Sequence, residues 1–267
     1  MSGMREFEQL AVEIAREAGA LLRDRFGTDF EVSHKGEVNL VTEVDLAAEA
    51  LIVSRIRAAF PDHIILAEEN YSERRSGSHI WIIDPLDGTT NYAHGFPVFA
   101  VSIGLEIDGE LACGIVYNPM QDEMFTARRG AGAYCNEKTI RVSSTAALDK
   151  SLLSTGFPYD IRTNTNNNLD NFREFALRAQ GVRRAGAAAL DFCSVAAGRF
   201  DGFWELSLHP WDCAAGYLLV REAGGRVTDF RGREGSIYEP EMIASNGLIH
   251  EEMVAVLRHT ASLTSLS

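Results

Sequence analysis

The feature that most constrains this chain is a strongly apolar run that ends abruptly in charged and polar residues. The run Trp-Ile-Ile at 81–83 is followed by Asp-Pro-Leu-Asp-Gly-Thr-Thr-Asn at 84–91. β-branched and aromatic residues in a short run are typical of a buried strand. Carboxylates that follow such a strand need solvent or a partner, because an unpaired buried charge is costly. The sequence therefore predicts a buried strand that carries Asp84 and Asp87 to an open edge of a sheet.

The segment between these two carboxylates favours convergence on one point. Pro85 fixes φ and removes a backbone donor, so Asp84 and Asp87 can face the same place, and the Leu86 carbonyl can face it as well. Hard cations such as Mg²⁺ prefer oxygen ligands of this kind. The pattern indicates a metal pocket.

A phosphate site is predicted directly beside it. Gly88 lets the backbone approach an anion closely, and Gly-Thr-Thr at 88–90 can open a helix whose first N–H groups bind phosphate. The alternative is an Asx turn with a helix N-cap, which Asp, Gly and Thr all favour. The close succession of two carboxylates, a glycine and two hydroxyls in this segment weakens that alternative.

A second acidic pair follows another apolar run. Glu68 and Glu69 come after Ile-Ile-Leu at 64–66, and such a pair is often only the solvated end of a strand. If the two strands are neighbours in one sheet, however, Glu68 reaches the same side as Asp84 and Asp87. Three carboxylates would then surround the cations.

Two further aspartates each begin a predicted helix. Thr42-x-x-Asp45 precedes an apolar run and resembles a capping box. Asp212 follows Trp211 in the first turn of a helix that Gly-Gly at 224–225 closes, where its charge complements the helix dipole. The local sequence leaves both the structural and the catalytic interpretation open.

Polar residues of the second half are individually weak signals. Arg183 and Arg184, before Gly-Ala-Ala at 186–188, could contact phosphate or form an exposed strand end. Glu205 ends a predicted strand and could accept hydroxyl protons from a sugar.

The rest of the chain predicts a mixed α and β domain. Apolar residues at helical spacing predict a helix over 4–26 that stops at Gly27, and a second helix after Thr42. Turn signals between alternating runs predict an antiparallel meander over 99–142, and strands alternate with helical patterns from about 151. We expect one unit over 1–267 with halves at 1–150 and 151–267.

Composition excludes several classes of function. The chain has 25 basic and 38 acidic residues, a net charge of -13 and a pI near 5.0, opposite to the footprint of a nucleic-acid binder. It lacks an apolar stretch of membrane-spanning length, and its four cysteines show no C-x-x-C pair. We expect a cytoplasmic protein with no signal peptide and with reduced thiols.

Together these segments resemble the inositol monophosphatase family. Residues 84–91 match its first signature and residues 211–225 its second, and 40–45, 67–69 and 186–188 extend the resemblance over nearly the whole chain. The resemblance implies an α/β fold, a layered α/β/α/β/α sandwich. It also implies a homodimer, dependence on two or three Mg²⁺ ions, and inhibition by Li⁺.

The resemblance also implies roles for individual residues. The implied metal ligands are Glu68, Asp84, the Leu86 carbonyl, Asp87 and Asp212, and Thr89 with Asp45 would orient the attacking water. The implied substrate contacts are Gly88, Thr89, Arg183, Ala188, Glu205 and Asp212, and Lys35 would influence an outer metal. Ala187 stands where the family usually has a hydroxyl residue, which puts the substrate in question.

The expected activity is Mg²⁺-dependent hydrolysis of a phosphate monoester, first of all myo-inositol monophosphate, as in an inositol-1-monophosphatase. Histidinol phosphate, fructose bisphosphate or a 3′-phosphoadenosine nucleotide are alternative substrates. The other alternative is a regulatory protein that binds the transcription machinery, because the acidic composition argues against direct nucleic-acid binding but not against a protein partner.

Overall fold

The computed structural model describes residues 2–29, 31–34, 40–69 and 78–264. The first half contains α1 (Ser2–Arg25), β1 (Val32–His34), β2 (Leu40–Thr42), α2 (Glu43–Ala59), β3 (Ile64–Ala67), β4 (His79–Asp87), α3 (Thr89–Ala93), β5 (Ala100–Ile107), β6 (Glu110–Asn118), β7 (Glu123–Arg128), β8 (Gly132–Cys135) and β9 (Lys138–Thr139). The second contains β10 (Leu152–Thr155), α4 (Leu169–Ala176), β11 (Gly181–Arg183), α5 (Ala188–Ala196), β12 (Gly202–Leu206), α6 (Pro210–Glu222), β13 (Arg226–Thr228), β14 (Glu241–Ser245) and α7 (His250–Thr264).

A seven-stranded sheet occupies the first half, in the order β3-β4-β5-β6-β7-β8-β9. Neighbouring strands from β4 to β9 are antiparallel, which confirms the predicted meander. The exception is β3, which pairs with β4 in parallel. The two strands that end in acidic residues therefore end at the same edge of the sheet.

A five-stranded sheet occupies the second half, in the order β11-β10-β12-β14-β13. The pairs β10–β11 and β10–β12 are parallel, whereas β14 is antiparallel to both of its neighbours. The parallel strands are linked by helices, as crossover connections require.

Helices lie on both faces of the two sheets and complete five layers. An apolar cluster joins α1 and α2 to the outer face of the seven-stranded sheet, and a second cluster places α5 and α6 between the sheets. A third cluster packs α7 and Phe175 of α4 on the outer face of the five-stranded sheet. The predicted α/β/α/β/α order is confirmed.

Glycines of the large sheet let α6 lie very close to it. A Cβ on Gly104 would lie 2.9 Å from the Ala214 Cβ, and one on Gly114 would lie 2.8 Å from the Ala215 carbonyl oxygen. Side chains at these positions would push the helix away. The close approach brings the start of α6, with Asp212, over β4 and β5.

No helix in the described ranges is both long enough and apolar enough to cross a lipid bilayer. The four cysteines are free thiols, and three of them are buried, as expected for small apolar side chains: Cys113, Cys193 and Cys213.

Candidate active site

A cavity of about 230 Å³ lies where the two halves of the chain meet. Acidic side chains from both halves line it, together with residues 86–90 and the start of α6: Glu68, Asp84, Asp87, Glu205 and Asp212. The structure thus brings together five acidic residues that the family resemblance selected from four separate segments.

The parallel pairing of β3 and β4 explains how Glu68 reaches this cavity. Ala67 pairs with Ile83, and the Glu68 N–H donates to the Ile83 carbonyl at 3.2 Å. Glu68 therefore lies beside Asp84, as predicted for neighbouring strands. Glu69 is not part of the lining, and its N–H donates to a carboxylate oxygen of Glu49 on α2 at 2.7 Å.

The turn at 84–87 has the Asx geometry that was the structural alternative. Asp84 Oδ1 accepts a hydrogen bond from the Leu86 N–H at 3.0 Å, and the pairing of β4 with β5 shifts register between Asp84 and Asp87. In a regular strand, side chains three residues apart face opposite sides of the sheet. A bulge of this kind can turn both of them to the same side. The Asx turn is thus how the two carboxylates come to share the cavity.

Gly88 joins this turn to α3 in a conformation that favours glycine. Its φ is +94°, and a Cβ there would lie 2.9 Å from the Val98 carbonyl oxygen. The predicted helix start is confirmed, although α3 spans only five residues.

Asp87 is held by the N-terminus of α5. Its two oxygens accept from the Ala188 N–H at 3.1 Å and the Ala189 N–H at 2.8 Å. The Ala188 amide, predicted to face the substrate, therefore donates to Asp87, although Ala188 still lines the cavity.

The two carboxylate oxygens of Asp45 have different partners. Its Oδ2 accepts from the Thr42 N–H at 2.9 Å and from the Thr42 hydroxyl at 2.5 Å, and it completes the capping box of α2. Its Oδ1 accepts from the Thr89 hydroxyl at 3.0 Å, and that hydroxyl also lies 3.1 Å from the Leu86 carbonyl oxygen. Asp45 therefore caps α2 and at the same time contacts Thr89, which lines the cavity.

Asp212 likewise caps its helix while it lines the cavity. Its Oδ2 accepts from the His209 N–H at 2.7 Å, within a capping box at the start of α6. The neighbouring Trp211 stacks on the His209 ring, with centroids 4.8 Å apart.

The electrostatics of the cavity disfavour the charged state of its carboxylates. Burial, followed by the charges of Glu68, Asp87 and Asp212, raises the pKa of Asp84 well above its ordinary value. Burial and the charge of Asp212 likewise raise the pKa of Asp87. Such repulsion is relieved by protons or by a cation.

The donor set matches a hard divalent cation. Carboxylates and one backbone carbonyl supply only oxygen, which suits Mg²⁺ better than a soft metal. Within the described ranges, no three or more His, Cys, Asp or Glu side chains are already arranged as a metal-binding group. The carboxylates therefore share a cavity rather than a preformed ligand shell. Lys35 lies outside the described residues.

The two arginines at the end of β11 do not have the predicted arrangement. Both are exposed, but Arg183 is absent from the lining and its guanidinium donates to the Val182 carbonyl. Arg184 lines the cavity instead, where its charge partly opposes the burial and acidic neighbours that raise the pKa of Glu205. Alternation along the chain turns adjacent side chains in opposite directions, and the sequence did not show which one faces inward.

Two residues near the cavity escaped the sequence analysis. Tyr159 lines the mouth, and burial and then the charge of Glu68 raise the pKa of its hydroxyl. Asp191 on α5 is 2% exposed, its Oδ1 has no hydrogen-bond partner among the described residues, and burial raises its pKa. A lone carboxylate within the apolar helix sequence Ala-Ala-Leu-Asp-Phe was a signal for Asp191, whereas Tyr159 had none.

Comparison with known proteins identifies the family. The family model described as the inositol monophosphatase family matches residues 3–262. The chain belongs to the inositol monophosphatase family. An inositol-1-monophosphatase of Synechocystis sp. is 44% identical to it, over 97% of this chain and 91% of that protein.

Similar proteins and solved structures carry more than one name. The Nus factor SuhB of Pseudomonas aeruginosa is 46% identical, over 91% of this chain and 92% of that protein. The solved structure of an inositol monophosphatase from Anabaena (Nostoc) sp. has a TM-score of 0.88 and 43% identity, covering 96% of this chain and 97% of that one. The family and fold predicted from the two signatures are confirmed, and the chain is a phosphatase of this family.

Proposed function

We propose that this protein hydrolyses a small phosphate monoester with Mg²⁺, and that its substrate is myo-inositol monophosphate. The observation that carries the proposal is the convergence of oxygen ligands, the Thr89–Asp45 pair and Glu205 on one cavity of about 230 Å³. A cavity of that size fits a single phosphorylated ring better than a dinucleotide.

In this proposal the divalent cations bind to residues that approach the cavity from both halves of the chain. The ligands are Glu68, Asp84, Asp87, Asp212 and the Leu86 carbonyl. Bound Mg²⁺ would lower the pKa of a coordinated water and offset charge on the phosphate. The protein's own contribution is to hold five oxygen donors around one space before substrate arrives.

Thr89 and Asp45 orient the attacking water. A hydroxyl has a single hydrogen, and two acceptors compete for that of Thr89: the Asp45 carboxylate at 3.0 Å and the Leu86 carbonyl at 3.1 Å. We assign the hydrogen to Asp45, because a carboxylate is the stronger acceptor. The lone pairs of Thr89 then remain available to accept a hydrogen from the water. Because Asp45 is fixed by the α2 cap, this pair supplies direction rather than basicity.

The remaining contacts select the substrate. The first amides of α3, at Gly88 and Thr89, lack partners within the helix and are suited to phosphate oxygens. Arg184, rather than Arg183, supplies a guanidinium at the cavity. Glu205 accepts hydroxyl protons from the polyol, and the buried Ala187 contributes no hydroxyl of its own.

A second function is a protein partner in transcription, which the 46% identity to a protein named Nus factor SuhB supports. We propose it as independent of the chemistry, so the Asp87→Asn variant should retain it. The cytoplasmic location, the homodimer and inhibition by Li⁺ are also proposals.

The proposal is tested by phosphate release from myo-inositol 1-phosphate, with and without Mg²⁺. The parent should require Mg²⁺, Asp87→Asn should abolish release, and the exposed Asp149→Asn should serve as an unchanged control. Histidinol phosphate, fructose bisphosphate and 3′-phosphoadenosine nucleotides form the comparison panel. If phosphate is released from one of these esters but not from inositol phosphate, that ester would replace inositol phosphate as the proposed substrate. If the folded parent protein releases phosphate from none of these esters, the proposed phosphatase activity is refuted.

A further inference from the structure

Gly156 follows β10 at the point where that strand passes Glu205. Thr155 pairs with Trp204 in the parallel register of β10 and β12, so Gly156 and Glu205 are the next residues along the two strands. A Cβ on Gly156 would overlap the Cδ, Oε1 and Oε2 atoms of Glu205, closer than non-bonded atoms approach one another. The Glu205 carboxylate therefore lies directly over the Gly156 backbone, in space that only a glycine leaves open.

The backbone on both sides of this contact is fixed. The Thr155 hydroxyl donates to the Trp204 carbonyl at 2.6 Å, and the Asn168 amide donates to the Gly156 carbonyl at 2.7 Å. The Trp204 ring packs against Phe175, and its Nε1 donates to Asn168 at 2.9 Å. Strand movement is thus restricted, so a side chain at 156 would be accommodated mainly by rotation of the Glu205 carboxylate.

The surroundings leave that carboxylate few other positions. Both Gly156 and Glu205 line the cavity. Burial, then the charges of Asp191, Asp212 and Asp87, raise the pKa of Glu205, and the charge of Arg184 opposes them, so most of the charged groups near this carboxylate are acidic. A displaced carboxylate would move towards those groups or into the substrate space.

We propose that Gly156 is a positioning residue that sets the choice of alcohol, because its missing side chain holds the Glu205 carboxylate where a polyol hydroxyl can donate to it. The inference rests on the proposed function and adds to it a determinant of specificity that does not touch the substrate. Hydrolysis itself does not depend on Gly156, so an ester without hydroxyls on its alcohol is insensitive to it.

The test is a double-mutant cycle of Gly156→Ala and Glu205→Ala, with kcat and KM measured for myo-inositol 1-phosphate and for phenyl phosphate in the presence of Mg²⁺. Gly156→Ala should lower kcat/KM for inositol phosphate about 10- to 100-fold, the loss expected for one hydrogen bond to a charged group. The same substitution should change kcat/KM for phenyl phosphate by no more than about twofold. In a protein that already carries Glu205→Ala, it should cause no further loss of kcat/KM for inositol phosphate.

Gly202→Ala is a matched control on β12. A Cβ there would lie 2.5 Å from Met253 Sδ in the apolar core, so the variant should lose stability without changing the ratio of the two kcat/KM values. Equal losses for both esters, or additive losses with Glu205→Ala, would overturn the assignment of Gly156.

Two further outcomes separate the proposals. If Gly156→Ala does not fold, the double variant with Glu205→Ala should fold, because the overlap is gone, and a double variant that also fails to fold would contradict the inference. A parent that hydrolyses neither ester refutes the proposed function itself, whereas an active parent with an unchanged ratio in Gly156→Ala refutes only the role of Gly156.

Discussion

The Asp45→Asn substitution separates the two contacts of this side chain. The backbone N–H of Thr42 cannot rotate, so the single amide oxygen of asparagine should stay with it and preserve the α2 cap. The amide nitrogen then faces the Thr89 hydroxyl and donates to it. The Thr89 hydrogen turns to the Leu86 carbonyl, 3.1 Å away, and a lone pair meant for water is lost.

The expected magnitudes differ for stability and catalysis. Because the cap persists, the free energy of unfolding should change by less than ~1 kcal/mol. Turnover should fall by about 10²-fold, the lower range for a misdirected proton-transfer group, while KM changes little. Thermal unfolding measures the effect on stability, and phosphate release at saturating substrate and Mg²⁺ measures the effect on turnover.

Thr42→Ala is the matched control because it removes the cap hydroxyl, including its hydrogen bond to Asp45 Oδ2, and leaves the contacts of Asp45 with the Thr42 N–H and with Thr89. It should cost ~1 kcal/mol, hence lower Tm by about 2–4 °C, with turnover within about twofold of the parent. Unchanged turnover in Asp45→Asn, or an equal loss of turnover in Thr42→Ala, would refute the orienting role of Asp45.

The remaining predictions concern the metal site, its mouth and the turn beneath it. Burial and the charge of Asp212 raise the pKa of Asp87 to about 8, so the metal-free folded state loses stability as pH rises from ~4 towards that value. The rise in Tm on adding Mg²⁺ should therefore be larger near pH 8 than near pH 6, and a Tm rise that becomes smaller with increasing pH would contradict this. Tyr159→Phe should raise KM for inositol phosphate severalfold, because the variant loses a hydroxyl at the cavity mouth. Tyr238 is also 55% exposed but lies outside the cavity, so Tyr238→Phe should leave KM unchanged, and equal KM values for the two variants would count against a role for Tyr159. Gly88→Ala should lower the free energy of unfolding by ~2 kcal/mol or more, because position 88 has a positive φ and a Cβ there would clash with backbone. Gly95→Ala has a positive φ of +70° but open space around the Cβ, so it should lower that free energy by only ~1 kcal/mol. Chemical denaturation measures both values, and similar values would show that the structure relieves the clash at position 88.

The fold was largely predictable because its signals are local. Apolar spacing gave α1 and α2, turn residues gave the meander, and the acidic ends of two apolar runs indicated a shared sheet edge. The sequence allowed the neighbouring position of β3 and β4 only as a condition and did not show their parallel direction, since strand pairing depends on contacts between separate segments of the chain.

The site was predictable only to the level of motifs. The contact between Asp45 and Thr89 joins residues 44 positions apart, so no local pattern distinguishes a cap from an orienting group. The choice between Arg183 and Arg184 depends on how the chain leaves β11, and Tyr159 enters the cavity from a loop. Each of these is a property of tertiary packing.

Three helix N-termini hold acidic side chains in this cavity or directly beside it, and this helps to explain how the fold tolerates the acidic cluster. Asp45 caps α2, Asp212 caps α6, and Asp87 accepts from the first amides of α5. The positive end of each helix dipole offsets part of one carboxylate's charge, by about 0.3–2 kcal/mol for each. Even so, burial and like charges keep the pKa of Asp87 raised, and they hold the pKa of Asp84, which none of these three helices caps, well above its ordinary value. The helices thus hold Asp87 and Asp212 in place but leave part of the cavity's charge uncompensated. In the proposed function a cation neutralises that charge, so capping and metal binding would be complementary roles of these two side chains.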